Sequence, residues 1–184
     1  MKYRLFGNSG LRVSELSLGT MTFGEDWGWG APKDESSKIY DAYREAGGNF
    51  IDTANMYTNG SSENLVGEFI HDHRQSVVLA TKYTDAMAGD DPNAAGNHRK
   101  SMVQALEASL RRLKTDYIDL YWLHIWDQMT PLKKSCGPST IWFVKARFST
   151  LAFPMRRHGG LRRPIRWPSC EAGPNSLGCR LNIR

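Results

Sequence analysis

The sequence predicts an α/β fold, a partial parallel barrel of four strands led by an N-terminal β-hairpin, and three observations point to it. Short apolar runs recur four times between Glu15 and His124, and each of the first three is followed by a segment whose apolar residues have helical spacing. The runs are apolar throughout rather than alternating, as expected of strands covered on both faces. Strands separated by helices need crossover connections, which make the neighbours parallel and the crossovers right-handed.

The elements follow in order. "YRLFGNSGLRV" reads as a hairpin with its turn at Asn8–Gly10, suited to plugging one end of a barrel. "ELSLGT" (Glu15–Thr20) is the first barrel strand. "DESSKIYDAYREAGG" then sets Ile39, Ala42, Tyr43 and Ala46 on one helical stripe before a Gly-Gly stop. "NFIDTA" (Asn49–Ala54) is the second strand, and "SSENLVGEFIHDH" opens on a serine cap and carries Leu65, Val66, Phe69 and Ile70 on one face. "SVVLATK" (Ser76–Lys82) is the third strand, followed by a helix with Val103, Leu106, Leu110 and Leu113 at helical spacing; "YIDLYWLH" (Tyr117–His124) is the fourth.

In a parallel barrel the reactive groups stand at the C-terminal strand ends. Here those ends carry Gly19, Thr20 and Met21, then Asp52 with Tyr57 just beyond, then Lys82, then His124. Singly, each has an ordinary structural reading as a helix cap, a solvated lysine, a packing tyrosine or a loop histidine. On successive strands they form a proton-transfer set. A phenol, with an unperturbed pKa near ~10, becomes a usable acid or base near neutrality when an ammonium lies beside it, and a carboxylate can hold that ammonium in place. "EDWGWGAP" adds Trp27 and Trp29 among glycines after the first strand, and Trp126 follows His124; the three form either an aromatic wall over a substrate or plain packing.

"LGTMTFG", "NFIDTANMYTNGSSENLVGEFI", "VVLATKY" and "IDLYWLH" resemble the N-terminal half of an aldo-keto reductase over about residues 3–132. Members of that family are (β/α)₈ TIM-barrel enzymes that reduce aldehydes and ketones with NADPH. The resemblance implies that Tyr57 protonates the carbonyl oxygen as hydride arrives. It further implies that Lys82 makes that phenol a better proton donor, that Asp52 pairs with Lys82, and that His124 orients the carbonyl. Gly19, Thr20, Met21 and Asp52 would face the nicotinamide ribose, and Trp27, Trp29 and Trp126 the substrate. The expected partner is a small carbonyl compound.

Beyond Leu132 the chain changes character. Residues 1–132 carry 13 Lys+Arg against 18 Asp+Glu, net −5, whereas residues 133–184 carry 11 against 1, net +10, so the pI near 9.2 averages two unlike segments. All three cysteines lie in the second segment (Cys136, Cys170, Cys179), at spacings that match neither a metal site nor a redox pair, and their absence from residues 1–132 argues against a disulfide scaffold. Gly137 and Pro138 fall where the family has its next helix, and an interior proline costs about 3 kcal/mol or more. The chain therefore divides into residues 1–132, half a barrel, and 133–184, an irregular basic tail.

A reading frame shifted by one nucleotide near Leu132 accounts for the change. Codons with T in second position encode apolar residues, and after such a shift tail codons that begin with T mark them. Ser135, Cys136, Ser139, Trp142 and Phe143 then outline a helical stripe, and Phe148, Ser149, Leu151 and Phe153 a buried strand. Arg156, Arg157, Arg162, Arg163 and Arg166 beside Trp167 would suit a nucleic-acid-binding arm. Arginine, proline, serine and glycine are also what a GC-rich gene yields out of frame, so no nucleic-acid partner is expected. The N-terminus lacks the apolar run of a signal peptide and no segment approaches the ~18 apolar residues of a membrane span, so the chain is read as soluble and cytoplasmic, with no membrane partner.

Overall fold

The structure, a computed structural model, describes residues 1–130 apart from Asn8 and Ala88, and the backbone of residues 148–152. The hairpin pairs β1 (Tyr3–Leu5) with β2 (Arg12–Ser14) antiparallel, from Tyr3↔Ser14 to Leu5↔Arg12. Its turn is closed by Phe6 N–H donating to the Leu11 carbonyl at 2.8 Å; Asn8, placed at the turn by the sequence, lies outside the described residues. A parallel sheet follows in chain order: β3 (Leu18–Gly19), β4 (Phe50–Asp52), β5 (Val78–Tyr83), β6 (Ile118–Leu123) and β7 (Phe148–Ala152). Helices α1 (Lys33–Glu45), α2 (Ser61–Ile70) and α3 (Arg99–Arg112) form the crossovers between the first four of these strands.

Strand parity sorts the side chains into two cores. One face of the sheet meets the helices through Ile51, Leu79, Tyr83, Tyr121 and Leu123, packed with Val66, Ile70, Met102, Leu106 and Leu113. The opposite face gathers Val78, Ala80 and Leu120 with Val13 of the hairpin, flanked by Phe6, Leu11, Phe50 and Trp122. Phe6 meets Phe50 and Trp122 edge-on, at centroid separations of 6.0 and 6.3 Å. The hairpin thus covers the inner face, as a plug would. Because strand side chains alternate with period two, Asp52 follows Phe50, and Lys82 follows Val78 and Ala80, on that same inner face.

Three local expectations need correction. The α1 stripe is not Ile39, Ala42, Tyr43 and Ala46: Ile39 is exposed, whereas Tyr40 and Ser36 are buried. Tyr40 reaches Phe69 on α2 (5.5 Å between centroids) and His73 beyond it, whereas Ile39, its neighbour in the helix, projects in another direction, into solvent. Burial pushes the Tyr40 phenol up to about 12, so this tyrosine is a packing group. Helix α2 is not capped by its own serine; Gly60 is the N-cap, and the Ser62 N–H donates 3.0 Å to the hydroxyl of Thr58. Finally, the tail is not irregular throughout. Phe148–Ala152 adds a fifth parallel strand in register with β6, from Ile118↔Phe148 to Trp122↔Ala152. The edge of β6 presents a row of unsatisfied backbone groups, which any β-prone segment can pair with. The other tail features read from the sequence, residues 133–147 and 153–184, lie outside the described residues.

Candidate active site

The parallel register sets Gly19 beside Asp52 and Asp52 beside Ala80, so that Lys82 stands one pleat beyond at the same rim. The Lys82 ammonium uses three donors in three directions, to Asp52 Oδ2 (2.7 Å), to the Thr53 carbonyl (2.8 Å) and to the Tyr57 hydroxyl oxygen (3.0 Å). An ammonium has three N–H bonds, so its orientation is fully specified. Its side chain is 14% exposed and that of Asp52 29%, so the pair sits at the floor of an open rim rather than in the core. The His124 ring stands edge-on to Tyr57, 5.8 Å between centroids with planes at 83°. All four of Asp52, Tyr57, Lys82 and His124 therefore converge.

Tyr57 is held by an unusual backbone. Thr58 (φ 44°) and Asn59 (φ 53°) both adopt left-handed conformations immediately after it, ahead of Gly60 (φ 96°). A β-branched residue there is strained. Thr58 is buried and its hydroxyl donates to the Phe23 carbonyl (2.6 Å) while accepting from Ser62 N–H. These bonds offset the strain and tie the Tyr57 turn both to α2 and to the base of the tryptophan loop.

The residues placed near a cofactor divide. Gly19 is open, with no atom within 4 Å of where a Cβ would lie, and Met21 is 45% exposed. Thr20 is fully buried; its hydroxyl bonds Ser62 (2.9 Å) in a cluster that includes Thr53, so its side chain faces the α2 layer, away from the rim. The Trp27–Trp29 loop is pinned by Ala31 N–H to the Thr22 carbonyl (2.7 Å) and Gly24 N–H to the Ala31 carbonyl (2.9 Å). It needs glycine at position 30, where φ is +135° and an added Cβ would overlap the Gly24 carbonyl. The two indoles lie 5.4 Å apart, Trp29 53% exposed. Trp126, 49% exposed, leads a loop held by Asp127.

Asp127 accepts from the N–H groups of Asn97 (2.9 Å), Met129 (3.0 Å) and Thr130 (2.8 Å) and from the Thr130 hydroxyl (2.8 Å). Burial alone would raise this carboxyl, but the hydrogen bonds outweigh it and the net shift is downward. A depressed carboxyl contributes stability that is present above its unfolded value, near ~3.9, and is lost as pH falls through the lower folded value. Acidification below that value, or Asp127→Ala at neutral pH, is therefore expected to release the Trp126 loop. Trp126 emission should shift red in both cases while emission of a Trp126→Phe control does not follow; an unchanged spectrum would count against the tether.

The sequence reading missed the residues that orient the set. Thr58 carries no motif, because its role depends on φ. Asp85, three residues after Lys82, brings Oδ2 to 2.9 Å from His124 Nδ1, although the two are not aligned as a hydrogen bond, and both atoms are buried without another partner. Among the described residues no group of three or more His, Cys, Asp or Glu side chains is placed to hold a metal ion.

The Aldo/keto reductase family model matches residues 15–152. Over 169 residues the chain is 37% identical to the putative aryl-alcohol dehydrogenase AAD6 of Saccharomyces cerevisiae, covering 86% of this chain and 80% of that protein. It is 43% identical over 140 residues to the norsolorinic acid reductase of Aspergillus flavus, covering 71% of this chain but 36% of the relative. Among solved structures, the aldo-keto reductase AKR11C1 from Bacillus halodurans in its holo form superposes with a TM-score of 0.73 at 31% identity, over 83% of this chain and 50% of that one. The chain thus spans about a third of the length of the fungal reductase and half of the solved enzyme. Sequence match, superposition and the lysine-centred rim agree, and the chain belongs to the aldo-keto reductase family.

Proposed function

We propose that this site performs the proton-transfer half of an NADPH-dependent reduction of aldehydes and ketones to alcohols. The observation that carries the reading is the third hydrogen bond of Lys82. Because the Tyr57 oxygen accepts from the ammonium at 3.0 Å, its own hydrogen is directed elsewhere, toward the rim where a carbonyl oxygen would sit. Tyr57 gives that proton as the oxygen gains charge. The ammonium stabilises the phenolate left behind, and Asp52 and the Thr53 carbonyl keep it from swinging away. General acid catalysis of this kind contributes about 10²–10⁴-fold.

The residues present suit the nicotinamide end of such a cofactor. Asp52 keeps part of its carboxylate accessible next to an open Gly19, a combination that accepts ribose hydroxyls and lets a flat ring lie against the backbone. Bound there, reduced nicotinamide supplies the hydride. The exposed Trp29 and Trp126 and the half-buried Trp27 would border the substrate side. No helix among the described residues is long and apolar enough to cross a membrane, and we place the reaction in the cytoplasm.

A second reading is a non-catalytic product, either an inactive fragment or a nucleotide-binding subunit. It is favoured by the composition break at Leu132. Titration with NADPH separates the two. Quenching of tryptophan emission, reduced by Trp27→Phe and Trp29→Phe, together with NADPH consumption on adding an aromatic aldehyde, is expected for the reductase. Quenching without consumption supports a binding subunit, and neither response supports an inactive fragment. Resequencing the coding DNA around Leu132 is expected to show one nucleotide missing.

A further inference from the structure

We infer that Asp85 is a positioning residue which fixes the tautomer of His124, placing the ring proton on Nδ1 and leaving Nε2 as the nitrogen presented to the substrate. Asp85 Oδ2 and His124 Nδ1 lie 2.9 Å apart, both inaccessible to water and both without another hydrogen-bond partner. A carboxylate offers only lone pairs, so two acceptors at that separation are satisfied only when a proton lies between them. The contact is off-line by angle, and a small tilt of the ring closes it; hydrogen bonds of catalytic groups are often poorly aligned before substrate arrives. Leaving both atoms unpaired would forfeit, for each, the hydrogen bonding it had in water.

The backbone is arranged to make this contact. Thr84, between Tyr83 and Asp85, adopts φ 124°, a conformation that non-glycine residues rarely hold. It is maintained by Gly96 N–H on the Thr84 carbonyl (2.8 Å) and by the Asn97 side-chain amide on the Thr84 hydroxyl (3.2 Å). The buried Asn55 amide reaches the Asp85 carbonyl at 3.5 Å. On the other side, His124 N–H bonds the Tyr83 carbonyl at 2.9 Å, which fixes the ring's origin. The His124 side chain keeps 23% of its area accessible while Nδ1 is covered, so the open part of the ring belongs to its other edge.

The tautomer decides what the ring can offer. With Nδ1 protonated, neutral His124 accepts through Nε2 and suits the hydroxyl of an alcohol. To donate to a carbonyl it must be an imidazolium, whose charge Asp85 balances. The charged groups facing the ring are Asp85 and, through Tyr57, the Lys82–Asp52 pair. This inference concerns His124 within the reductase reading above, and its test does not depend on turnover.

The chain labelled with ¹⁵N-histidine is examined by long-range ¹H–¹⁵N correlation, with His124 assigned by its loss in His124→Asn. Wild type is expected to show a protonated Nδ1 and an unprotonated Nε2. Asp85→Ala should exchange the two signatures, and Asp85→Asn, whose amide oxygen still accepts, should retain the wild-type pattern. Magic-angle spinning on sedimented protein gives the same readout without requiring rapid tumbling. A protonated Nε2 in wild type, a free-imidazole mixture, or no change in Asp85→Ala overturns the inference. An Asp85-dependent tautomer in a chain that consumes no NADPH would leave it standing and remove the reductase reading instead.

Discussion

Replacing Tyr57 with phenylalanine is expected to lower carbonyl reduction by about 10²–10⁴-fold while NADPH binding changes little. The substitution removes one oxygen and leaves the ring, which packs edge-on against His124, in place. Lys82 keeps Asp52 Oδ2 and the Thr53 carbonyl as partners, so the rim should not collapse. Because the missing proton matters only once the carbonyl oxygen has gained charge, kcat and kcat/KM should fall together with KM near its original value, the pattern of an interaction made only in the transition state. Steady-state rates with an aromatic aldehyde, alongside fluorescence titration with NADPH, check both halves. Retained turnover would remove Tyr57 as the proton donor. Lost cofactor binding would mean that the hydroxyl shapes the cofactor site, and the assignment of roles would have to be redrawn.

That Asp52, Tyr57, Lys82 and His124 were legible without coordinates has a physical cause. Each stands at or just past the end of an apolar run, and in a parallel sheet the ends of runs share one rim. Period-two alternation also places Asp52 and Lys82 on the same face. What determines their orientation was not legible, because it depends on backbone dihedrals that no composition rule reports. Thr58 and Thr84 look like ordinary loop threonines, yet their left-of-normal φ values aim Tyr57 and Asp85. The family resemblance implies that Thr20 faces the cofactor, whereas a cluster with Ser62 and Thr53 turns its hydroxyl toward α2. Helix α1 misled for a related reason: Tyr40 outcompetes Ile39 for burial through partners on another helix. The sequence marks a buried strand at Phe148, Ser149, Leu151 and Phe153 only in a shifted reading frame; that the residues actually present at Phe148–Ala152 pair with β6 depends on the open edge of that neighbour more than on the segment's own pattern.

The largest stability loss among single substitutions near the site is expected for Arg112→Met. Glu63 on α2 is fully buried, with Oε1 accepting from the Thr81 hydroxyl (2.5 Å) and Oε2 from Arg112 Nε (2.7 Å). Without the guanidinium, a carboxylate with no access to water is left with one hydroxyl donor, and breaking such a buried pair costs about 3–5 kcal/mol. Against the roughly 5–15 kcal/mol that holds an ordinary domain together, that shift should be plain in urea denaturation followed by tryptophan emission. Glu63→Leu should cost less, because Arg112 is 20% exposed and its head group can turn toward solvent. The double variant should recover most of the loss, since apolar side chains of similar volume often replace a buried ion pair at little cost. The pair also joins the site to its scaffold: Thr81 precedes Lys82, and an added Cβ at Gly60, the cap after the Tyr57 turn, would lie 2.9 Å from Arg112 Cδ. In Arg112→Met the Tyr57 turn should therefore loosen along with α2, and the double variant should restore it. Additive losses in the double variant would show instead that Glu63 and Arg112 contribute through separate contacts, and that the link from α3 to the tyrosine turn runs through packing alone.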